Sequence, residues 1–395
     1  MPLYHSKLIV TSSDRGVLKD HVISTTPEGT ILSILPLANY PDKGDMRSFE
    51  GIIVPGFINA HCHLELSHMK AMIPTGTGLV EFIRQIVTRR NSNPERIAPA
   101  IHAADHEMYT QGIVAVGDIS NGSDAFETKH HSKLLYHTFV EAFDLMQADK
   151  AQEEMDKSFQ VFNHLLTPSS HKKSIVPHAT YSVSDKLFEL IRSLNQSDVT
   201  TSIHHQETDA ENEFISTRTG LLVNFFQGFG LNLDLYIPTN LPASSVPVKY
   251  MSSDQKTLLV HNTMSGPTDI DRIETWNKNT YWVTCPNANL YIENRLPHYQ
   301  FWLDKGSKVC IGTDSLASNW QLSILEEMKT IQKYQSYVPF TELIKWATIN
   351  GAVSLGFDKD VGSIEPGKTP GLVYIDNFDV DGFTFSSNSR SYRII

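Results

Sequence analysis

The chain is poor in several features that would mark other protein classes. Its 395 residues contain three cysteines, Cys62, Cys285 and Cys310, odd in number and far apart. A disulfide framework is thereby excluded as the organising device, and reduced thiols are expected. No stretch approaches the roughly 18 uncharged apolar residues that span a bilayer. The opening MPLYHSKLIVTSSDRG lacks the basic start and long apolar run of a secretory leader, so a cytoplasmic protein is expected. Basic charge is also short: 33 Lys and Arg stand against 44 Asp and Glu, a net charge of -11. Such a chain has no basic field for phosphate backbones or anionic lipid, so neither nucleic acid nor membrane is the expected partner, and a small molecule is. Internal repeats and low-complexity tracts are absent.

What is present resembles an ordinary globular enzyme, 40% hydrophobic and 19% charged. The length suits a barrel of roughly 250 residues or more with a smaller appendage. From Leu8 to Val54 short strand-like runs (KLIVTSS, HVISTT, TILSILPL) are broken by turn signals and end in the polar NYPDKGDMR. After Pro55-Gly56, strand-length apolar runs alternate with helix-like segments, the pattern of a parallel sheet with crossover helices. The runs are FINAH, 112–120, 134–143, 173–182, 200–207, 257–263, 280–286 and 308–314. Eight such strands predict an α/β fold, a TIM-type (β/α)8 barrel over residues 56–350. The tail VGSIEPGKTPGLVYIDNF reads as turn and strand, so residues 1–55 and 351–395 are predicted to join as one small β-sandwich domain built from both chain termini.

Barrel chemistry gathers at the C-terminal strand ends. His61/His63, Asp118, Glu141, His178, His204/Glu207, His261, Asn287 and Asp314 all fall there. His61 and His63 are one residue apart at a strand end, so alternation points both imidazoles to one side, where they can grip an ion such as zinc. His102 and His106 also have metal-binding spacing on a helix, but they precede the second strand and lie away from the mouth. His130-His131 reads as a solvated turn. The lack of any C-x-x-C excludes the zinc deaminases that use a His/Cys/Cys site.

HxH after PGFINA, the HxxE of His204-His205-Gln206-Glu207, His261 on the sixth strand and Asp314 in IGTDSLASN together resemble the amidohydrolase superfamily, in its mononuclear deaminase branch. The likeness covers nearly the whole chain, GSIEPGK included. It implies that His61, His63, His204 and Asp314 hold one divalent ion, zinc by default, with iron or manganese also suited to such donors. It further implies that Asp314 takes the proton of an attacking water, that His261 fixes or polarises that water, and that Glu207 protonates a ring nitrogen and helps ammonia leave. Binuclear members carry a modified lysine at the end of strand four, where this chain has His178, so one metal is expected. His178 itself resembles a substrate-contacting histidine. Strict alternation would put His204 and Glu207 on opposite faces, which leaves His205 as a rival ligand; the HxxE pattern selects His204.

HLELSHMK, TGTGLVEFIRQIV and GTDSLASN resemble the aminodeoxyfutalosine deaminases of menaquinone synthesis, whose substrate is an adenine nucleoside with a carboxybenzoyl arm. Glu65, Ser318 and Asn319 belong to these shared words and are expected near substrate with His178, although a structural role suits Glu65 and Glu81 equally. Adenosine-type enzymes carry an acid after the first helix's aromatic residue. Counting from Phe82 lands in TRRNS, which counts against plain adenosine, while Arg84, Arg89, Arg90 or Arg295 could meet a carboxylate arm. The expected activity is metal-dependent deamination of a 6-aminopurine nucleoside, best matched by aminodeoxyfutalosine. Its alternatives are deamination of a free base such as guanine or cytosine, ring-amide hydrolysis of the imidazolonepropionase type, and a non-catalytic binding barrel, for which eroded ligands would be expected. A homodimer is common in the family and is implied by the resemblance alone.

Overall fold

In the computed structural model, which describes residues 1–40, 44–91, 93–166, 168–195, 199–234 and 236–395, the two chain ends share one sheet. The N-terminal strands are β1 (Leu3–Val10), β2 (Val17–Thr25), β3 (Ile31–Pro36) and β4 (Met46–Pro55). Residues 41–43 of the polar stretch before β4 lie outside the described residues. β1 pairs antiparallel with β2 and parallel with β4, and β2 pairs antiparallel with β3.

The eight runs expected as parallel strands are all strands. They are β5 (Phe57–Cys62), β6 (Ile113–Ser120), β7 (Leu135–Ala142), β8 (Lys172–Pro177), β9 (Thr201–His205), β10 (Thr257–His261), β11 (Thr280–Thr284) and β12 (Val309–Ile311). Burial on both faces explains why most of them are largely apolar, β9 (TSIHH) being buried but mainly polar. Helices between them are amphipathic. In Asp185–Leu194, for instance, Leu187, Phe188 and Ile191 face the core, and the Ser184 hydroxyl caps the helix by accepting from Leu187 N. No helix among the described residues is long and apolar enough to cross a membrane.

At the C-terminal end, β13 (Leu372–Ile375) pairs antiparallel with β4 and with β16 (Ser391–Arg393), completing the order β16-β13-β4-β1-β2-β3. β14 (Phe378–Asp379) and β15 (Thr384–Phe385) form a separate two-stranded ladder. Strands from both chain ends thus share one six-stranded sheet. By alternation, Leu8, Val10, Ile52 and Val54 on one face join the main core, so the rest of the chain supplies the second layer. Ile9, Ile23, Ile34 and Ile53 pack in a smaller cluster with Ile364 and Leu372.

The inner strands form two parallel ladders, β5-β6-β7-β8 and β12-β11-β10-β9. Where the ladders meet, single bridges replace full pairing: Ala179 with His204, and Cys62 with Asp314. His204 N donates to His178 O at 3.0 Å, and Thr313 N and Asp314 N both donate to His61 O at 3.0 Å. Close approach at the second junction requires Gly312, because a Cβ there would lie 2.8 Å from His61 Cβ and 2.9 Å from His61 N and O. Both junctions fall at candidate site residues.

Candidate metal centre and active site

β5, β9 and the turn after β12 bring three imidazoles and a carboxylate into one buried cluster. His63 Nε2 lies 3.2 Å from His61 Nε2 and 3.2 Å from His204 Nε2. Asp314 Oδ1 is 3.6 Å from His61 Nε2 and 3.4 Å from His63 Nε2. Hydrogen bonding alone does not account for this packing. One ring nitrogen carries at most one proton, and His204 already uses Nδ1 as a donor to His178 O at 2.7 Å, which leaves Nε2 as a lone pair. Four donors at about 2.0–2.2 Å from a tetrahedral ion stand roughly 3.3–3.6 Å apart, so the observed spacings fit a small divalent cation.

Burial supports the same reading. It depresses the basicity of His63 to about 3 and of His261 and His178 to about 4, and pulls His204 well below the ordinary value, which favours the neutral imidazole that metal ligation requires of His63 and His204. Asp314 behaves oppositely. Burial would raise it, but the hydrogen bond from His61 and the fields of His63 and His261 hold it below the usual carboxylate range. Glu207 is pushed well above that range, first by burial and then by the Asp314 charge. Two neighbouring carboxyl groups are thus driven apart in acidity.

The backbone sends His204 and His205 to opposite sides. Gln206 takes a left-handed φ of 45°, which breaks the alternation and turns Glu207 to the side of His204. Glu211, one helical turn on, holds this turn by accepting from Gln206 N at 2.8 Å and Glu207 N at 2.9 Å. His205 faces away, with Nδ1 2.8 Å from Asn262 Oδ1 and its ring against Trp282. His261 (φ 77°) and Asp314 (φ 58°) are also left-handed, a strain that clusters at functional positions. His261 Nδ1 bonds Asn289 Oδ1 at 2.9 Å, and its Nε2 lies 3.6 Å from Glu207 Oε2.

A cavity of about 550 Å³ opens over the cluster, with His63, His204, Glu207, His261 and Asp314 on its surface. His178 and Glu65 line it as well, His178 oriented by Nδ1 at 2.7 Å from Ser182 Oγ. Its walls are mainly apolar: Leu79, Phe82, Ile83, Ile86 and Val87 from the helix Leu79–Arg89, and Phe225, Phe226 and Phe229 from and just after the helix Leu221–Gly228. Among the described residues, the one Lys or Arg in the lining is Arg90, whose Nη2 is 3.1 Å from Glu65 Oε1.

Several expected contacts are placed elsewhere. Arg84 pairs with Glu81 at 2.6 Å on the exposed side of its helix, and Arg295 reaches Asp209 at 3.4 Å on the surface. Helical spacing explains Arg84: positions 79, 82, 83, 86 and 90 share the cavity face, and 84 does not. The same spacing singles out Arg90. Ser92, in the segment counted from Phe82, lies outside the described residues. Ser318 and Asn319 stand behind Asp314 rather than in the cavity lining. Ser318 Oγ donates to Asp314 Oδ2 at 2.6 Å, while Asn319 Nδ2 donates to Thr313 O and Glu327 Oε1, both at 2.8 Å.

Two of the polar strand-end residues also hold structure. Asp118 accepts from Leu64 N at 2.8 Å and meets the buried Lys129 Nζ at 2.5 Å, clamping the turn after His63. Asn287 donates to Glu327 through both N and Nδ2. His102 and His106 are exposed on their helix, and His130 and His131 are exposed at the end of the helix Phe126–His131.

The sequence model of the Amidohydrolase family matches residues 52–391. An adenosine deaminase of Helicobacter pylori is 26% identical over 364 residues, covering 91% of this chain and 86% of its own. An aminodeoxyfutalosine deaminase of Nitratiruptor sp. is 25% identical over 351 residues, covering 86% and 82%. Among solved structures, Helicobacter pylori aminofutalosine deaminase in complex with methylthio-coformycin superposes with a TM-score of 0.78 at 25% identity, covering 94% of this chain and 91% of that one.

Proposed function

The chain belongs to the amidohydrolase family, hydrolases acting on C–N bonds, and from that premise we propose that it is a metal-dependent aminohydrolase of a 6-aminopurine nucleoside, with aminodeoxyfutalosine as substrate. The observation that carries this reading is the placement of Glu207, His261 and Asp314 around the imidazole cluster under one cavity. Asp314 Oδ1 lies 3.4 Å from His63 Nε2, and Glu207 Oε2 lies 3.6 Å from His261 Nε2. An acid and a base thus flank the place where water and a ring carbon would meet.

His61, His63, His204 and Asp314 would hold one divalent ion, zinc by the donor set. When bound, that ion acidifies water to the point where it can attack at neutral pH. Asp314, whose Oδ1 faces the imidazole cluster and whose Oδ2 accepts from Ser318 Oγ at 2.6 Å, would take up the water's proton on its carboxylate. His261 commits Nδ1–H to Asn289, so Nε2 accepts a hydrogen bond from the water and orients it. Glu207 would deliver a proton to the purine ring nitrogen next to the amino-bearing carbon, where it stays in the product. The proton taken up by Asp314 would pass to the departing amino group, which leaves as ammonia, and Glu207 would regain a proton from the new hydroxyl as the carbonyl forms.

The cavity supports a nucleoside with an arm over a free base. A volume of about 550 Å³ is that of a ligand larger than a bare purine. Phe225, Phe226 and Phe229 offer aromatic contact, and Arg90 is the cation available to an arm's carboxylate. The same reading joins the two four-stranded ladders into one TIM-type barrel over residues 56–350, supported by the bridges at both junctions. Residues 1–55 and 351–395 form its accessory β domain, supported by the pairing of β4 with β13. The test is mutational. Glu207→Gln should retain the metal yet lower kcat by about 10²–10⁴-fold, and Asp314→Asn should abolish turnover; an unchanged rate in either removes the assigned mechanism.

A further inference from the structure

One strip of the otherwise apolar cavity wall offers acceptors without donors. Asn121, just beyond β6, spends Nδ2 on two carboxylates, Glu65 Oε1 at 3.2 Å and Glu141 Oε2 at 3.1 Å. Both of its amide hydrogens are thereby used, and no donor reaches Asn121 Oδ1 among the described residues. Glu141, on β7, is 4% exposed and lines the cavity. Among the described residues its carboxyl group also approaches two imidazoles: His204 Nδ1 at 3.4 Å, a nitrogen already committed to His178 O, and a ring nitrogen of His178 within 4.8 Å.

Glu65 differs, because its two oxygens accept from Arg90 Nη2, Asn121 N, Asn121 Nδ2 and Gly122 N. It is saturated and acts as the brace that fixes Asn121. The wall therefore presents two adjacent acceptors, Asn121 Oδ1 and a carboxyl oxygen of Glu141, close to the cluster. The complementary ligand is a pair of neighbouring O–H donors.

We propose that Asn121 and Glu141 form the subsite that reads the vicinal 2′- and 3′-hydroxyls of the substrate's ribose, with Glu65 as its positioning residue. This rests on the purine nucleoside reading above and adds the sugar to it. The purine takes the floor beside Glu207, the hydroxyls take the strip, and the 5′ substituent is left facing the phenylalanine wall. A buried acceptor left without its donor penalises the wrong ligand, which is how such a strip discriminates.

The test compares ammonia release from 5′-deoxyadenosine and from 2′,3′,5′-trideoxyadenosine by the metal-loaded protein. The wild type should prefer the diol by about 10- to 100-fold in kcat/KM. In Asn121→Ala, and separately in Glu141→Gln, that ratio should fall toward 1, with metal content measured alongside because Glu141 neighbours His204. The ratio, rather than the rate, separates recognition from general damage, and two variants guard against one failing to fold. A wild type that deaminates both compounds equally, or variants that keep the full preference, overturn the subsite and leave the deaminase reading intact. A wild type that releases no ammonia from any adenine nucleoside overturns both.

Discussion

Gly312→Ala tests whether the close junction of β5 with β12 builds the site. The added methyl would lie 2.8 Å from His61 Cβ and 2.9 Å from His61 N and O. Two of these are backbone atoms, so no side-chain rotation relieves the contact and the junction itself must open. Alanine gains about 0.4–1 kcal/mol by restricting the unfolded chain. Overpacking of this kind costs typically 1–3 kcal/mol, so a net loss of roughly 1–2 kcal/mol is expected. The local effect is larger in consequence, because Thr313 N and Asp314 N both bond His61 O across this junction. Opening it by a few tenths of an ångström separates Asp314 from His61 and His63 together. Gly312→Ala should therefore lower the unfolding midpoint by a few degrees and weaken metal binding by at least about tenfold, measured by competition with a chelator. Gly228→Ala is the control: a Cβ there has nothing within 4 Å, so stability should hold or rise with metal affinity unchanged. A Gly312→Ala protein with wild-type stability and metal affinity would refute the claim that backbone contact here sets the ligand geometry.

Three further outcomes follow from particular side chains. His204→Ala should lose the ion, whereas His205→Gln, altering the ring that bonds Asn262, should keep full metal stoichiometry; the reverse result in metal analysis would reassign the ligand. Arg90→Ala should raise KM for a carboxylate-bearing nucleoside by about tenfold, while Arg84→Ala and Arg295→Ala, both surface pairs, should leave it within about twofold. His137 is fully buried, bonded to Leu355 O and Ser174 Oγ, and burial lowers its pKa to about 4. Between pH 6.5 and 4 the unfolded chain therefore binds the extra proton. Its contribution is complete above pH 6.5 and is lost as pH falls through that window, by up to roughly 3 kcal/mol. His137→Gln should flatten the acid side of a urea-midpoint profile, and parallel profiles would contradict this.

The strands and the residues of the imidazole cluster were legible because period-two burial and strand-end position leave marks in the sequence. His61 and His63 share a side through alternation, and β10 to β12 read as largely apolar runs because both faces are buried. What escaped depended on partners distant in the chain. Lys129 lies in FETKHH, a segment that looks like solvent-facing helix, and nothing local shows that Asp118 waits in the core to pair with it. Ser318 and Asn319 sit close enough to Asp314 to suggest substrate contact, yet the chain turns them behind it. Arg90 was recoverable from the helical spacing of Phe82, Ile83 and Ile86, whereas Arg84 was a neighbour in sequence only. The turn at Gln206 could not be read from composition, since glutamine rarely signals a left-handed backbone. The single terminal sheet was half legible: its strands were visible, but the element covering each face was not.

The central claim is that the cluster serves hydrolytic deamination of an adenine nucleoside carrying an arm. Ammonia release by metal-loaded protein, with aminodeoxyfutalosine, adenosine, S-adenosylhomocysteine, guanine and cytosine at equal low concentration, tests it most directly. The account predicts a kcat/KM above about 10⁴ M⁻¹s⁻¹ for aminodeoxyfutalosine and much less for the free bases. Ammonia from guanine or cytosine alone, or from none of the five, would contradict it.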